Sequence, residues 1–257
     1  MKNKTAKQIV KEYRIKFALI IVLYALVLVG LIYLMMFNMV IAMIGIMLLA
    51  YFVRTPFDRL RQKDIESIIY EELDPDKFAE VVALGVGKKS SKYQMLIHMA
   101  RGEHDAILNG VEEIDQKARH PVDKCNNLYR RGYVYFEKGE YDKLADVFKK
   151  YEKLKADNPK FVYALNTFSV FDKFDAFSDE DYEYVVGVCD IDLKGLDVKK
   201  RNHNLTRINV GFYRAVSLYK LGRYDEAKRG FEEIINLAPK MYKAKLSKEF
   251  IDLINNI

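Results

Sequence analysis

Residues 17–53 form a run of 37 positions with no acidic, basic, histidine or glutamine side chain, and Asn38 is the one strongly polar group in it. A single helix through the run would be roughly 55 Å long at about 1.5 Å per residue, whereas the hydrocarbon core of a bilayer is about 30 Å thick. Two passes fit that thickness, 17–36 and 39–53, joined at Phe37-Asn38. Asparagine tolerates the left-handed backbone of a tight turn and can be hydrated at the far interface. The second pass is short, so a hairpin dipping into one leaflet is the alternative to two full crossings. A cleaved signal peptide does not fit, because the run is too long and no small-x-small site follows it.

Beyond the run, apolar residues recur at helical spacing. Thr55-Pro56, followed by Asp58, is expected to open a helix over 56–72 with Leu60, Ile65, Ile68 and Ile69 on one side. Asp74-Pro75 starts a second, short helix ending near Gly85-Val86-Gly87. The chain then repeats itself. Gly102-Glu103-His104-Asp105, Gly139-Glu140-Tyr141-Asp142 and Gly222-Arg223-Tyr224-Asp225 align on their glycines, each closing one amphipathic helix and opening another. After the last glycine, Tyr224, Ala227, Phe231, Ile234 and Ile235 follow at helical spacing until Pro239. Tyr141, Leu144, Ala145, Phe148 and Tyr151 do so before Pro159, and Ile107, Val111 and Ile114 before Pro121.

The glycines lie 37 and then 83 residues apart. The long gap is expected to hold one degenerate helix pair, about 160–173 and 179–189, and a polar insertion at 190–202. Ser178 followed by Asp181 reads as an N-cap with an acidic third residue. A final helix over about 241–254 would cap the open face of the last repeat.

This pattern resembles the tetratricopeptide repeat (TPR) family, built from helix–turn–helix units of about 34 residues. Ala215, Leu218, Gly222, Tyr224, Ala227, Phe231 and Pro239 fall at that family's small, large, turn, aromatic, small, aromatic and proline positions. In the middle copy Gly132, Tyr135, Gly139, Tyr141 and Phe148 match, Leu144 replaces the small residue and the proline comes three residues late. In the first, His104 and Ile107 stand at the aromatic and small positions. The expected fold is therefore all-α: an N-terminal two-helix transmembrane hairpin followed by a TPR-like α-solenoid of antiparallel helix pairs. Its segments are a basic N-terminus at 1–16, the hairpin at 17–53, juxtamembrane helices at 54–87, and a repeat domain at 88–257 with a capping helix.

Charge orients this arrangement. The net charge is +6, but residues 1–16 carry +5 and residues 54–63 carry +3, leaving −2 for 64–257. Lys11, Arg14, Lys16, Arg54, Arg59 and Arg61 thus flank the passes while the turn is uncharged. Positive flanks stay inside, so both termini are expected on the cytoplasmic face of the plasma membrane, beside anionic lipid. The basicity belongs to those flanks, so no nucleic-acid partner is expected. Cys125 and Cys189 have no CxxC spacing and read as reduced core residues.

Candidate chemistry is sparse. Gly85-Val86-Gly87-Lys88-Lys89-Ser90 lacks the earlier glycine of a phosphate loop, since Val82 stands there, and Lys89 takes the Ser/Thr position. Asp190-Ile191-Asp192-Leu193-Lys194-Gly195 begins like a calcium loop, but Lys194 sits at a ligand position and Arg201 where a glutamate is required. His98, His104, His120 and His203 show no metal spacing, and His98 is expected to pack in the core. No enzyme, metal or cofactor is expected. Lys199, Lys200, Arg201, His203 and Arg207 form a basic cluster, either a solvated loop or a contact for acidic partners or lipid.

The resemblance implies that the first helices of the repeats line a concave groove for a protein or peptide partner. Asn126, Tyr129, Tyr133 and Phe136 would face it in the middle copy, and Asn209, Phe212, Val216 and Tyr219 in the last. Asparagine can hold a peptide backbone while aromatic faces bury its side chains. The family's carboxylate-clamp variant expects Lys and Asn where Tyr129 and Tyr133 stand, which points instead to an apolar or extended segment. The expected function is a membrane-tethered adaptor or scaffold. Alternatives are a small subunit of a larger membrane complex, packing through Gly30, Ala42, Gly45 and Ala50, or a peptide-sensing regulator.

Overall fold

A computed structural model describes residues 4–52, 54–87, 90–165, 169–196 and 203–257. Among the described residues all regular structure is helical. Two compact units form, Met1–Tyr93 and Gln94–Ile257.

In the first unit, α1 spans Ala6–Met35 and α2 spans Met39–Phe52. A reciprocal capping box starts α1: Thr5 Oγ1 accepts from the Gln8 N–H and Gln8 Oε1 from the Thr5 N–H. The helix thus begins well before the apolar run. Asn38 is not left-handed; it opens α2, its Oδ1 accepting the Ile41 N–H at 3.1 Å. Leu31 lies against Gly45, where an added Cβ would come within 2.5 Å of its Cδ2, and Ala42 is fully buried. Those two small residues are used inside the hairpin. The other faces are bare, with Leu19, Leu23, Leu26, Val29, Val40 and Met47 all more than 60 % exposed. Two helical stretches, Ala6–Met35 and the one beginning at Met39, are long and apolar enough by length and composition to cross a membrane.

The expected helix start at Thr55 is not seen. α3 is Arg54–Arg61, with Thr55 and Pro56 already inside it. Proline has no N–H to give the carbonyl four residues earlier, and the Tyr24 hydroxyl of α1 donates to that Phe52 oxygen at 3.2 Å instead. A π-helical turn, Gln62–Glu66, and α4, Ser67–Tyr70, follow. They bury Ile65, Ile68 and Ile69, and half-bury Leu60. Asp74 caps α5, Pro75–Ala83, accepting from the Lys77 N–H as its sequence position required.

The second unit is a series of helix pairs: α6 (Ser91–Arg101, beginning in the first unit) with α7 (His104–Asp115), α8 (Pro121–Glu137) with α9 (Asp142–Asp157), and α13 (His203–Lys220) with α14 (Tyr224–Leu237). Gly102, Gly139 and Gly222 have φ of 69°, 70° and 73°. Each is flanked by the same two bonds, for example Arg223 N–H to Leu218 O and Gly222 N–H to Tyr219 O. This is the Schellman cap, in which a left-handed residue lets the chain turn back. The aligned glycines are thus one backbone device used three times.

The device occurs a fourth time without glycine. Between α11 (Val170–Ser178) and α12 (Tyr182–Gly195), Glu180 has φ 60°, and Asp181 N–H bonds to Ala176 O at 2.8 Å. Glu180 stands 41 residues after Gly139 and 42 before Gly222, dividing the long gap evenly. A 3-10 turn (Pro159–Phe161) and the short α10 (Val162–Leu165) precede α11. Left-handed backbone is unfavourable for a side chain by about 1–2 kcal/mol, partly offset by glycine's extra unfolded entropy. Glu180→Gly is accordingly expected to raise stability by about 1 kcal/mol, read as a higher melting temperature.

Three local expectations change here. The N-cap of α12 is Asp181, which accepts the Tyr184 N–H, while Ser178 ends α11 and donates to Asp175 O. Residues 190–195 are helical rather than part of an insertion, and 197–202 lie outside the described residues. His98 is half-exposed and sits beside Glu103, 2.5 Å from Nδ1 to Oε2. Cys125 and Cys189 are buried free thiols, as expected.

Candidate partner groove

The expected groove lies between α8 and α13, and its walls meet. The ring of Phe136 stands edge-on to Tyr213 at 4.5 Å and to Phe177 at 4.7 Å, with Phe212 at 6.2 Å. Tyr133, Phe136, Phe212 and Val216 are therefore buried core residues and not an open lining. Tyr219 is half-buried against Phe250 and Tyr224. Asn126, Tyr129 and Asn209 are also half-buried. Aromatics on successive first helices reach one another and close the face by direct ring contact.

What fills the remaining space is the chain itself. The last helix, α15 (Tyr242–Asn255), packs on α14 through Phe250, which stacks on Phe231 with centroids 4.9 Å apart. Its first turn carries Lys243 into the interior, where the residue is 2 % exposed. The ammonium lies 4.6 Å from the ring centroids of both Tyr133 and Phe212 and 5.6 Å from Tyr213. Its Nζ donates to Glu137 Oε1 at 2.7 Å, and His104 Nε2 lies 2.8 Å from Glu137 Oε2. Beside it, Tyr242 stands edge-on to His104 and over Gly102, where a Cβ would collide with the ring. Tyr133 Oη donates to Met99 O, but Tyr213 Oη is buried with no hydrogen-bond partner among the described residues.

Glu137, Lys243, His104 and Tyr213 were missed by the sequence. The Glu137–Lys243 pair is 106 residues apart, and no local spacing announces it. Burial pushes the Glu137 carboxyl up, but the charge of Lys243 and the hydrogen bonds from His104 and Lys243 outweigh it and hold the group below its ordinary 4.5. A carboxylate depressed on folding contributes stability above its unfolded pKa, and loses it as pH falls through the folded value. The second unit is thus expected to hold its melting temperature down to about pH 5 and to weaken below 4.5, with Glu137→Gln flattening that acid limb. Burial also pushes the Tyr133 and Tyr213 hydroxyls well up, so both stay neutral.

The basic flanks are largely engaged. Lys16 pairs with the buried Asp64 at 2.6 Å, Arg54 and Arg61 with Asp58, and Arg14 donates to Leu84 O. Lys11 and Arg59 are exposed. Of the basic cluster, Lys199, Lys200 and Arg201 lie outside the described residues. Arg207 is 4.0 Å from Glu233 on the edge of a cleft of about 920 Å³ lined also by Leu193, Ile208, Arg214 and Glu226. That cleft carries both signs of charge, and Arg214 is already paired with Asp190 at 2.6 Å.

No curated protein and no solved structure matches the chain. Residues 210–240, the greater part of α13 with α14 and Pro239, match the tetratricopeptide repeat family, and it is on this segment that the last helix and its buried lysine are seated.

Proposed function

We propose that the chain is a membrane-tethered adaptor: the hairpin α1–α2 holds it in the bilayer, and the repeat unit recruits a protein to the cytoplasmic face. A tetratricopeptide repeat is a protein-interaction module, and its match over 210–240 carries the second half of this reading. The exposed apolar faces of α1 and α2 support the first. The many large apolar side chains exposed along both helices, several by more than 60 %, form the kind of contiguous apolar surface that marks a membrane or protein contact. The uncharged turn and basic flanks support cytoplasmic termini. No reaction is assigned to the chain, and its partners are lipid and a protein.

The test is co-purification of the full chain from membranes in mild detergent. Stoichiometric recovery of a protein that is lost when the repeat unit is deleted supports the adaptor; an intact chain that recovers none contradicts it. For the alternative, a subunit packing through small residues of the hairpin, Ala42 and Gly45 serve contacts within the hairpin while Gly30 has open space beside it. Topology is read separately by labelling Asn38→Cys with an impermeant maleimide on intact cells. Burial pushes the thiols of Cys125 and Cys189 up to about 12, so neither competes for label. Reaction from outside supports two full crossings, and protection supports a hairpin dipping into one leaflet.

A further inference from the structure

We infer that the closed aromatic box around Lys243 is a recognition site for a lysine side chain, and that Lys243 occupies it in cis as a latch. This presupposes the adaptor role and names the chemistry by which the repeat unit takes its partner. A lysine normally keeps its ammonium in water while its stem lies on the protein. Lys243 does the reverse: the ammonium sits among Tyr133, Phe212 and Tyr213, with the Glu137 carboxylate closing the box. Ring faces attract a cation and the carboxylate balances its charge, which is how proteins recognise ammonium ligands. Stability alone does not call for such a device, because apolar side chains of similar volume hold a core at least as well as a buried ion pair.

Two further observations separate this occupant from ordinary core. Tyr213 Oη is buried with no hydrogen-bond partner among the described residues, so Lys243 leaves the box incompletely satisfied. The lysine also arrives on the first turn of the terminal helix, after extended backbone at Met241 and the Pro239-Lys240 turn. Phe250 anchors the later part of α15 independently, against Phe231 and Tyr219. The latch opens by unwinding of that first turn, which also releases the buried Met241 and Ala244, while Phe250 keeps the later part of α15 on the α13–α14 repeat. The partner that fits is a segment carrying a lysine directly after an aromatic residue, as Tyr242-Lys243 does, and it competes with the latch.

The experiment uses the full chain in detergent and a fluorescent peptide with the sequence of residues 239–250. Lys243→Ala is expected to bind this peptide at least ten-fold more tightly than the wild type, and a peptide with glutamine at the lysine position is expected to lose that binding. Equal affinity for both chains, no binding to either, or indifference to the lysine would overturn the latch. Hydrogen exchange on the wild type covers the case in which the variant does not fold. The amides of Leu246, Ser247 and Lys248, which bond back to the first turn, should exchange at least ten-fold faster than those of Phe231 and Ile234. Equal rates would show that the turn does not open alone, and would refute the latch. A wild-type dimer dissociated by Lys243→Ala would assign the box to a second copy, again refuting it. If membranes yield a partner while the peptide never binds, the adaptor stands and the latch fails.

Discussion

Glu137→Leu is expected to destabilise the second unit by about 3–5 kcal/mol, because it strands the Lys243 ammonium in a buried aromatic box. The mechanism is specific to the unpaired charge and not to the loss of a contact. Adding Lys243→Met should therefore recover most of the loss, since two apolar groups of similar volume replace a pair whose desolvation nearly cancels its attraction. Denaturant melts of both variants, followed by far-ultraviolet circular dichroism, give the comparison. If the double variant is as unstable as the single one, the cost lies in packing and the buried pair is not the cause.

Phe231→Ala is the second large effect, expected at about 3–5 kcal/mol. Phe231 is fully buried, stacked on Phe250 and edge-on to Phe212 at 6.0 Å. Deleting it opens a cavity where α13, α14 and α15 meet, and rigid rings on two sides cannot collapse into it. The same melts are expected to show the loss with an unchanged denaturant slope. A loss below about 1 kcal/mol would mean that the capping helix is not held by this stack. The two effects are expected to couple, because Phe231 stands edge-on to Phe212, whose ring lies 4.6 Å from the Lys243 ammonium that Glu137 pairs with.

The repeat was legible because its signals are local. A glycine forced to positive φ, followed by an aromatic and a small residue at helical spacing, stands in the sequence whatever the chain does elsewhere. The fourth turn was hidden because Glu180 adopts the same backbone without the residue type that advertises it. The hairpin was legible from its uncharged run, but Asn38 proved to be a helix cap and Pro56 lies inside α3, with Tyr24 supplying the missing hydrogen bond. Helical spacing places Tyr133, Phe136, Phe212 and Val216 on the concave faces. It carries no information on whether rings from successive helices meet, and that contact decides whether such a face is groove or core. Lys243 shows the limit most clearly. On α15 it reads as one of several lysines on an amphipathic helix, and only the fold brings it to Glu137.

Alkaline carbonate extraction of membranes carrying the full chain tests the proposed bilayer tether most directly. The predicted result is that the chain stays in the membrane pellet through high salt and carbonate, and is released only by detergent. Recovery of the chain in the carbonate supernatant would contradict the tether and leave the exposed faces of α1 and α2 to be covered by protein.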